Sequence, residues 1–276
     1  MNSLGLQFYR AFLRLRDFPG KSRLEGLLRR RIAHTGATYI GAGVKMWLDP
    51  QEWAQRDLLA LGQAEPLTTA LFQKLLAAGD TFVDVGCHVG YHSLRARLLL
   101  GDRGRVVAMD PQPYNCERTL MNWRINGFTN IAVYTAAVGE TPGTIRLAHQ
   151  PPSDRSRLSL LHPTARGSAP TFNVPIYTLK QIIEFEALQR IKLLKIDTEG
   201  YEAAVLTGLG AEISQVDNII LELLPESRYP GGAAEAICSL LRAAGFDLRT
   251  VESKPWMLSR TLPENNLWAT RTSTRI

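Results

Sequence analysis

Short apolar runs and longer amphipathic stretches take turns along most of this chain. Thr81–Val85, Arg105–Met109 and Asn130–Val138 are apolar enough to be strands, as are Leu193–Ile196, Ile219–Leu223, Phe246–Val251 and a last one near Leu267–Ala269. Between them, His92–Leu100, Pro113–Asn126, Glu202–Leu209 and Ala233–Ala244 carry apolar residues at helical spacing. The alternation predicts an α/β fold: a doubly wound, mostly parallel sheet covered on both faces, with right-handed crossovers. Two stretches depart from it. Residues 143–178 hold two β-like runs, Thr144–Leu147 and Phe172–Tyr177, around a polar Pro/Ser/Arg-rich insert. The chain also ends on two strands separated by a loop, which predicts a terminal hairpin.

Before Gly79 the pattern changes. Leu4, Phe8, Phe12 and Leu15 recur at three- and four-residue spacing with arginines between them, which predicts a basic helical segment over residues 1–34. Residues 36–49 read as a short glycine-broken hairpin, and residues 52–78 as two helices, the second starting at Pro66. The expected organisation is an N-terminal extension over residues 1–78 and a main domain over 79–276 with the insert at about 143–178. Charge sharpens this division. The chain of 276 residues has a net charge of +6, and residues 1–31 contain eight Lys/Arg against Asp17 and Glu25, so the remainder is neutral. The body lacks the positive bias of a nucleic-acid enzyme. The apolar stripe of residues 1–34 suits docking on the body, on a second subunit or on a membrane surface. No apolar run is long enough to span a bilayer, and Arg10, Arg14 and Arg16 interrupt the best candidate for a signal peptide. Cys87, Cys116 and Cys238 are too few for a disulfide framework, and reduced thiols in a cytoplasm are the expectation.

Three motifs carry chemistry. In Thr81–Gly90 an apolar strand ends in Asp84, and Gly86 and Gly90 bracket a turn that opens a helix. Such glycines admit positive φ and a close ligand, and the helix N-terminus offers free N–H groups. The turn is G-x-x-x-G after an acid rather than the G-x-G-x-x-G of dinucleotide sites. A carboxylate there suits a cationic amino group, so S-adenosylmethionine fits better than a pyrophosphate. Asp110 ends the next strand, where an acidic residue accepts hydrogen bonds from ribose hydroxyls. Gln112, Tyr114 and Asn115 lie just beyond, within reach of a ribose or an adenine edge. The third motif is LLKIDTEGYE, residues 193–202. Lys195, Asp197 and Glu199 alternate along one side if extended, and the strand ends where ligands bind in such sheets. Asp197 and Glu199 are expected to face the reacting centre, or Lys195 and Asp197 form a structural pair.

Together DVGCHVGYHS, VVAMDPQPYN, AAVGE, YTLKQII, LLKIDTEGYEAAVLTGL and IILELLPE resemble the FkbM-type methyltransferase family, from about Gly62 to the C-terminus. The resemblance implies a Rossmann-like, seven-stranded methyltransferase sheet whose last strand is antiparallel. It implies S-adenosylmethionine as cofactor and O-methylation of a small molecule, sugar or glycan precursor. It places Asp84, Gly86 and Gly90 at the methionine end, Asp110 at the ribose, and Asp197 and Glu199 at the catalytic loop. Two departures stand out: Asp110 replaces a commoner Glu, and Cys87-His88 a commoner Ala-Asn. A histidine beside the cofactor is a candidate catalytic group as well as a cofactor contact. Base candidates are Asp197, ranked first for its strand-end position, then Glu199, His88 and His92. Asp197, Glu199 and Glu222 could together hold a divalent cation, but no compact ligand motif is present, and no metal site is assigned. His149, His162, Arg155, Arg157 and Arg166 of the insert are candidates for meeting the acceptor. The rival readings are a nicotinamide oxidoreductase on a similar sheet, disfavoured by the missing fingerprint, and a nucleic-acid methyltransferase, disfavoured by the neutral body. The expected partner is a small-molecule or sugar acceptor rather than nucleic acid.

Overall fold

The computed structural model describes residues 3–16, 18–32, 38–39, 43–148, 170–223, 233–258 and 260–271. The chain begins with helices α1 (Ser3–Leu13) and α2 (Lys21–Ile32), the two short strands β1 (Thr38–Tyr39) and β2 (Lys45–Met46), and helices α3 (Trp53–Leu61) and α4 (Pro66–Leu75). The alternating part follows with β3 (Thr81–Val85), α5 (Tyr91–Leu100), β4 (Arg105–Asp110), α6 (Pro113–Arg124) and β5 (Ile131–Thr135). Then come β6 (Ala137–Val138), β7 (Gly143–Ala148), β8 (Thr171–Tyr177), α7 (Leu179–Phe185), β9 (Leu193–Ile196) and α8 (Glu202–Leu209). The chain closes with β10 (Asn218–Glu222), α9 (Ala233–Ala243), β11 (Phe246–Thr250) and β12 (Asn266–Arg271).

Seven strands form the main sheet in the order β11-β12-β10-β9-β3-β4-β5. The pairs between β10, β9, β3, β4 and β5 are parallel, and β12 runs antiparallel to both of its neighbours, β10 and β11. Strand order reverses at β3 and β9, so a crevice opens at their carboxyl ends. Side-chain alternation sorts the two faces. Val83, Val85, Leu194, Ile196, Ile219 and Leu221 pack under α7, α8 and α9. Phe82, Leu193 and Ile220 point the other way, onto a cluster that includes Tyr9, Met46, Leu48, Leu58, Leu71 and Phe72. The N-terminal helices and β2 therefore form part of the sheet's cover. Burying one phenylalanine such as Phe72 contributes about 1.5–3 kcal/mol.

A remote carboxylate completes that cover. Glu264 accepts from the Leu67 and Thr68 backbone N–H groups at 2.8 and 2.9 Å and from the Thr68 hydroxyl at 2.8 Å. This satisfies donors that the first turn of α4 leaves open, and it places negative charge at the positive end of the helix. No helix among the described residues is long and apolar enough to cross a membrane.

Two segments differ from the sequence expectation. Asn130–Val138 is not one strand. It leaves the main sheet after Thr135, which pairs with Asp110 at the end of β4. The Ala136 N–H donates to the Asp110 carbonyl at 3.1 Å, and Ala137–Val138 pair with β8 instead. With β7 they make a separate sheet of order β6-β8-β7. The second is α7, which the apolar pattern alone leaves unassigned. Thr178 accepts from the Gln181 N–H, and the Gln181 side chain accepts from the Thr178 N–H, both at 3.1 Å, a reciprocal cap that starts the helix. Residues 150–168 of the polar insert, with His162, Arg155, Arg157 and Arg166, lie outside the described residues, as does His149.

Thr178→Ala should remove one half of that cap. The expected loss is about 1 kcal/mol, read as a lower denaturant midpoint with an unchanged slope. An unchanged midpoint would show that packing of Leu179, Ile182 and Ile183 alone holds the helix.

Candidate active site

The glycine turn is built against the protein's own backbone. Gly86 and Gly90 both have positive φ, 84° and 82°. A Cβ at Gly86 would lie 1.8 Å from the Asp197 carbonyl oxygen, and one at Gly90 would lie 2.8 Å from Thr119 Cγ2. The sequence suggests that Gly86 makes room for a ligand. In the structure, the close neighbour is the backbone at the end of β9. The Gly86 and Cys87 N–H groups donate to the Met109 carbonyl at 2.8 and 3.0 Å, and the Asp197 N–H donates to the Val85 carbonyl at 2.9 Å. The ends of β3, β4 and β9 are thus stitched into one rim.

Asp110 anchors this rim. One carboxylate oxygen accepts from the His88 N–H at 3.0 Å, and the other from the Gln112 N–H at 2.8 Å and Asn115 Nδ2 at 3.0 Å. Burial pushes its pKa up to about 6, against the pull of these donors and of the His88 charge. A lone pair remains on the oxygen that faces the His88 N–H, free for a sugar hydroxyl. Asp84 sits behind the rim. It is buried, accepts from the Ser93 hydroxyl at 2.6 Å, and does not line the cavity, whereas Gly86, His88, Asp110, Gln112 and Asn115 do. Gly90 also lies off the cavity wall, packed on α6.

Lys195 is fully buried in the middle of the sheet, in register with Asp84 on β3. Its Nζ donates to Asp197 Oδ2 at 2.7 Å. Burial works against the ammonium, but the charges of Asp197, Glu65 and Asp84 outweigh it and hold its pKa above the usual lysine value. Glu222, on the next strand, is pushed the other way. Burial and the neighbouring charges of Asp197, Glu199 and Glu202 raise its pKa to about 9, against Lys195. The loop after Asp197 is ordered by the buried carboxylate of Glu202. Its Oε1 accepts from the Thr198 N–H and hydroxyl at 3.0 Å each and from the Gly200 N–H at 3.1 Å. Glu199 takes the left-handed conformation in this loop, with φ 54°. Asp197, Thr198, Glu199, Lys195 and Glu222 all reach the cavity.

Two imidazole–carboxylate pairs close the opposite side. His88 Nε2 meets Glu52 Oε1 in a short contact, and Glu52 is fully buried. Burial opposes the imidazolium, but the bond and charge of Glu52, with the charges of Asp110 and Asp197, raise the His88 pKa above its ordinary 6.5. His92 Nε2 lies 3.3 Å from Glu65 Oε2, which also accepts from Asn266 Nδ2 at 2.8 Å. Glu65 is lowered in pKa: burial raises it, but Lys195 and His92 prevail. Neither Glu52 nor Glu65 stands in a recognisable motif. The only sequence signal was the unusual His88, whose buried partner comes from 36 residues upstream.

These walls enclose a cavity of about 240 Å³. Gln112 Nε2 and Asn115 Oδ1 are buried on it without a hydrogen-bond partner among the described residues. A spare donor and a spare acceptor beside Asp110 fit the ribose and adenine of S-adenosylmethionine. No group of three or more His, Cys, Asp or Glu among the described residues is arranged to hold a metal ion.

Gly86→Ala should destabilise the protein by about 1–3 kcal/mol, because the clashing atom is a backbone oxygen in a strained turn. A calorimetric Tm equal to that of the parent would refute the close approach. Glu52→Gln should lower the pKa of His88, read by NMR titration of its ring. The raised pKa means that the pair adds stability below the unfolded value near 6.5, an increment that fades as pH rises through the folded value. The variant should lose that increment; an unmoved imidazole titration would show that Glu52 does not set it.

Comparison with known proteins finds these similarities. Methyltransferase 1 of Beauveria bassiana (strain ARSEF 2860) is 24% identical over 196 residues, covering 64% of this chain and 76% of that protein. Methyltransferase sdnD of Sordaria araneosa is 24% identical over 200 residues, covering 63% and 76%. Among solved structures, the precorrin-6y C5,15-methyltransferase of Geobacter metallireducens GS-15 aligns with 76% of this chain and 94% of its own, at 13% identity and a TM-score of 0.42. Residues 84–248 match the family model described as the methyltransferase FkbM domain. That span is more than half of the chain, which thus belongs to the FkbM methyltransferases and uses S-adenosylmethionine.

Proposed function

We propose that this enzyme methylates a hydroxyl oxygen of a small molecule, a sugar or a glycan precursor. The observation that carries the reading is the position of Asp197. Its carboxylate lies on the cavity at the end of β9, partly open to solvent, and one oxygen is fixed by Lys195. A hydroxyl entering there meets a base whose geometry is already set. Asp197 Oδ1 is assigned to accept the hydroxyl proton as the oxygen attacks. Glu222, with a pKa near 9, is the protonated neighbour at neutral pH, which keeps a second negative charge away from Asp197. S-adenosylmethionine supplies an electrophilic methyl group on a sulfonium. Asp110, Gln112 and Asn115 are assigned to its ribose and adenine, and His88 and Glu199 flank the reacting side.

The lining also narrows the acceptor. Glu65, Asp110, Asp197 and Glu199 share the cavity with the single ammonium of Lys195, beside the protonated Glu222. A polyanion such as RNA would be repelled by that wall, whereas a neutral polyhydroxylated molecule would find many acceptors for its hydroxyls.

The test is a transfer assay with labelled S-adenosylmethionine against sugars, nucleotide sugars and small hydroxylated metabolites, with RNA as the competing substrate. Label in a hydroxylated small molecule is expected, and label in RNA alone would overturn the reading. Asp110→Ala should weaken S-adenosylhomocysteine binding by about tenfold or more, since charge-assisted hydrogen bonds are worth about 1.5–3 kcal/mol. With the acceptor found, Asp197→Asn should slow turnover by about 10²–10⁴ with little change in cofactor affinity. If the fold of Asp197→Asn fails instead, pairing with Lys195 is its role.

A further inference from the structure

The N-terminal helix pair is sided. Tyr9 and Phe12 of α1 are buried, and Leu13 and Leu28 pack partly against the same cluster as Phe72 and Leu58. The residues left outside are just as apolar. Phe8 is 61% and Leu27 62% exposed, and Leu15, Phe18 and Leu24 are exposed as well. Twelve large apolar side chains are exposed among the described residues, and five of them fall between residues 8 and 27. Arg14, Arg16 and Arg23 are exposed in the same stretch. One of its two acids, Glu25, is engaged by Arg56 at 3.1 Å. The whole net charge of the chain resides in residues 1–31.

We propose that α1 and α2 form an interfacial anchor for an anionic lipid surface. Phe8, Leu15, Phe18, Leu24 and Leu27 would enter the boundary between headgroups and acyl chains. Arginine and lysine stems lie along such apolar surface and carry their charge into the layer of lipid phosphates. The charge argues against the other occupants. A second copy docked through the same face would set like charges against each other. A nucleic acid would neutralise the arginines and leave the phenylalanine and leucine side chains facing water. The anchor does not depend on the acceptor chemistry proposed above.

The experiment is flotation of the full chain with vesicles of phosphatidylcholine alone and of phosphatidylcholine mixed with phosphatidylglycerol, at low and high salt. Flotation with the anionic vesicles, weakened by salt and largely absent with the neutral ones, is expected. Phe8→Ser with Leu27→Ser, and separately Arg16→Glu with Arg23→Glu, should each reduce partition by about tenfold. Both variants should keep the parent's thermal unfolding and S-adenosylhomocysteine binding, which separates loss of the anchor from loss of the fold. Three results would overturn the proposal. One is no flotation with anionic vesicles. Another is flotation unaltered in both variants. The third is a dimer by light scattering that Phe8→Ser with Leu27→Ser dissolves, with no lipid binding by the parent.

Discussion

The buried ammonium of Lys195 is the constraint on which the site is organised. An unpaired cation in the middle of a sheet is very costly, and removing one partner of a buried pair typically costs about 3–5 kcal/mol. Its neighbours come from three parts of the chain: Asp84 from the adjacent strand, Asp197 from its own strand end, and Glu65 from the turn before α4. The same charge that demands these carboxylates holds Asp197 at the crevice. Structural need and site geometry are therefore one arrangement: the Lys195–Asp197 pair is made, and it leaves Asp197 on the cavity wall, where the proposed proton transfer would use it.

Around that charge the rim is held by close contacts that leave little play. The Gly86 backbone lies against the Asp197 carbonyl, Asp110 ties the glycine turn to the start of α6, and Glu202 gathers the loop beyond Asp197. The site is thus preorganised from inside the family's own domain. The imidazole–carboxylate pairs are different: Glu52 and Glu65 lie outside residues 84–248. His88 stands where the resemblance leads one to expect Asn, so the exchange of one residue in the turn goes with a partner, Glu52, supplied by the extension.

Much of the fold was legible because it rests on local pattern. Thr81–Val85, Leu193–Ile196 and Glu202–Leu209 end where their apolar runs end, at Gly86, Asp197 and Gly210. Ala136 was not legible as a break, because the chain turns there to satisfy the Asp110 carbonyl, a partner 26 residues away. The T-x-x-Q signal at Thr178 was present but is short beside the strand that precedes it. In the site, Asp110, Gln112 and Asn115 were found from strand-end logic and do line the cavity. Asp84 was found by the same logic and lies one layer deeper, because alternation turns its side chain toward Ser93 and Lys195. Glu52 and Glu65 carried no signal, since burial of a carboxylate is visible only once its distant partner is placed.

The cap on α4 has a consequence for the order of synthesis. The carboxylate that closes the first turn of this helix belongs to Glu264, almost 200 residues further along the chain. Asn266, two residues later, bonds Glu65 and Thr68 at the same place. A nascent chain emerges N-terminus first, so the layer containing α4 waits with open backbone donors until the last strand leaves the ribosome. The cover over the Lys195 face thus gains its Glu264 and Asn266 bonds only after that strand has been made.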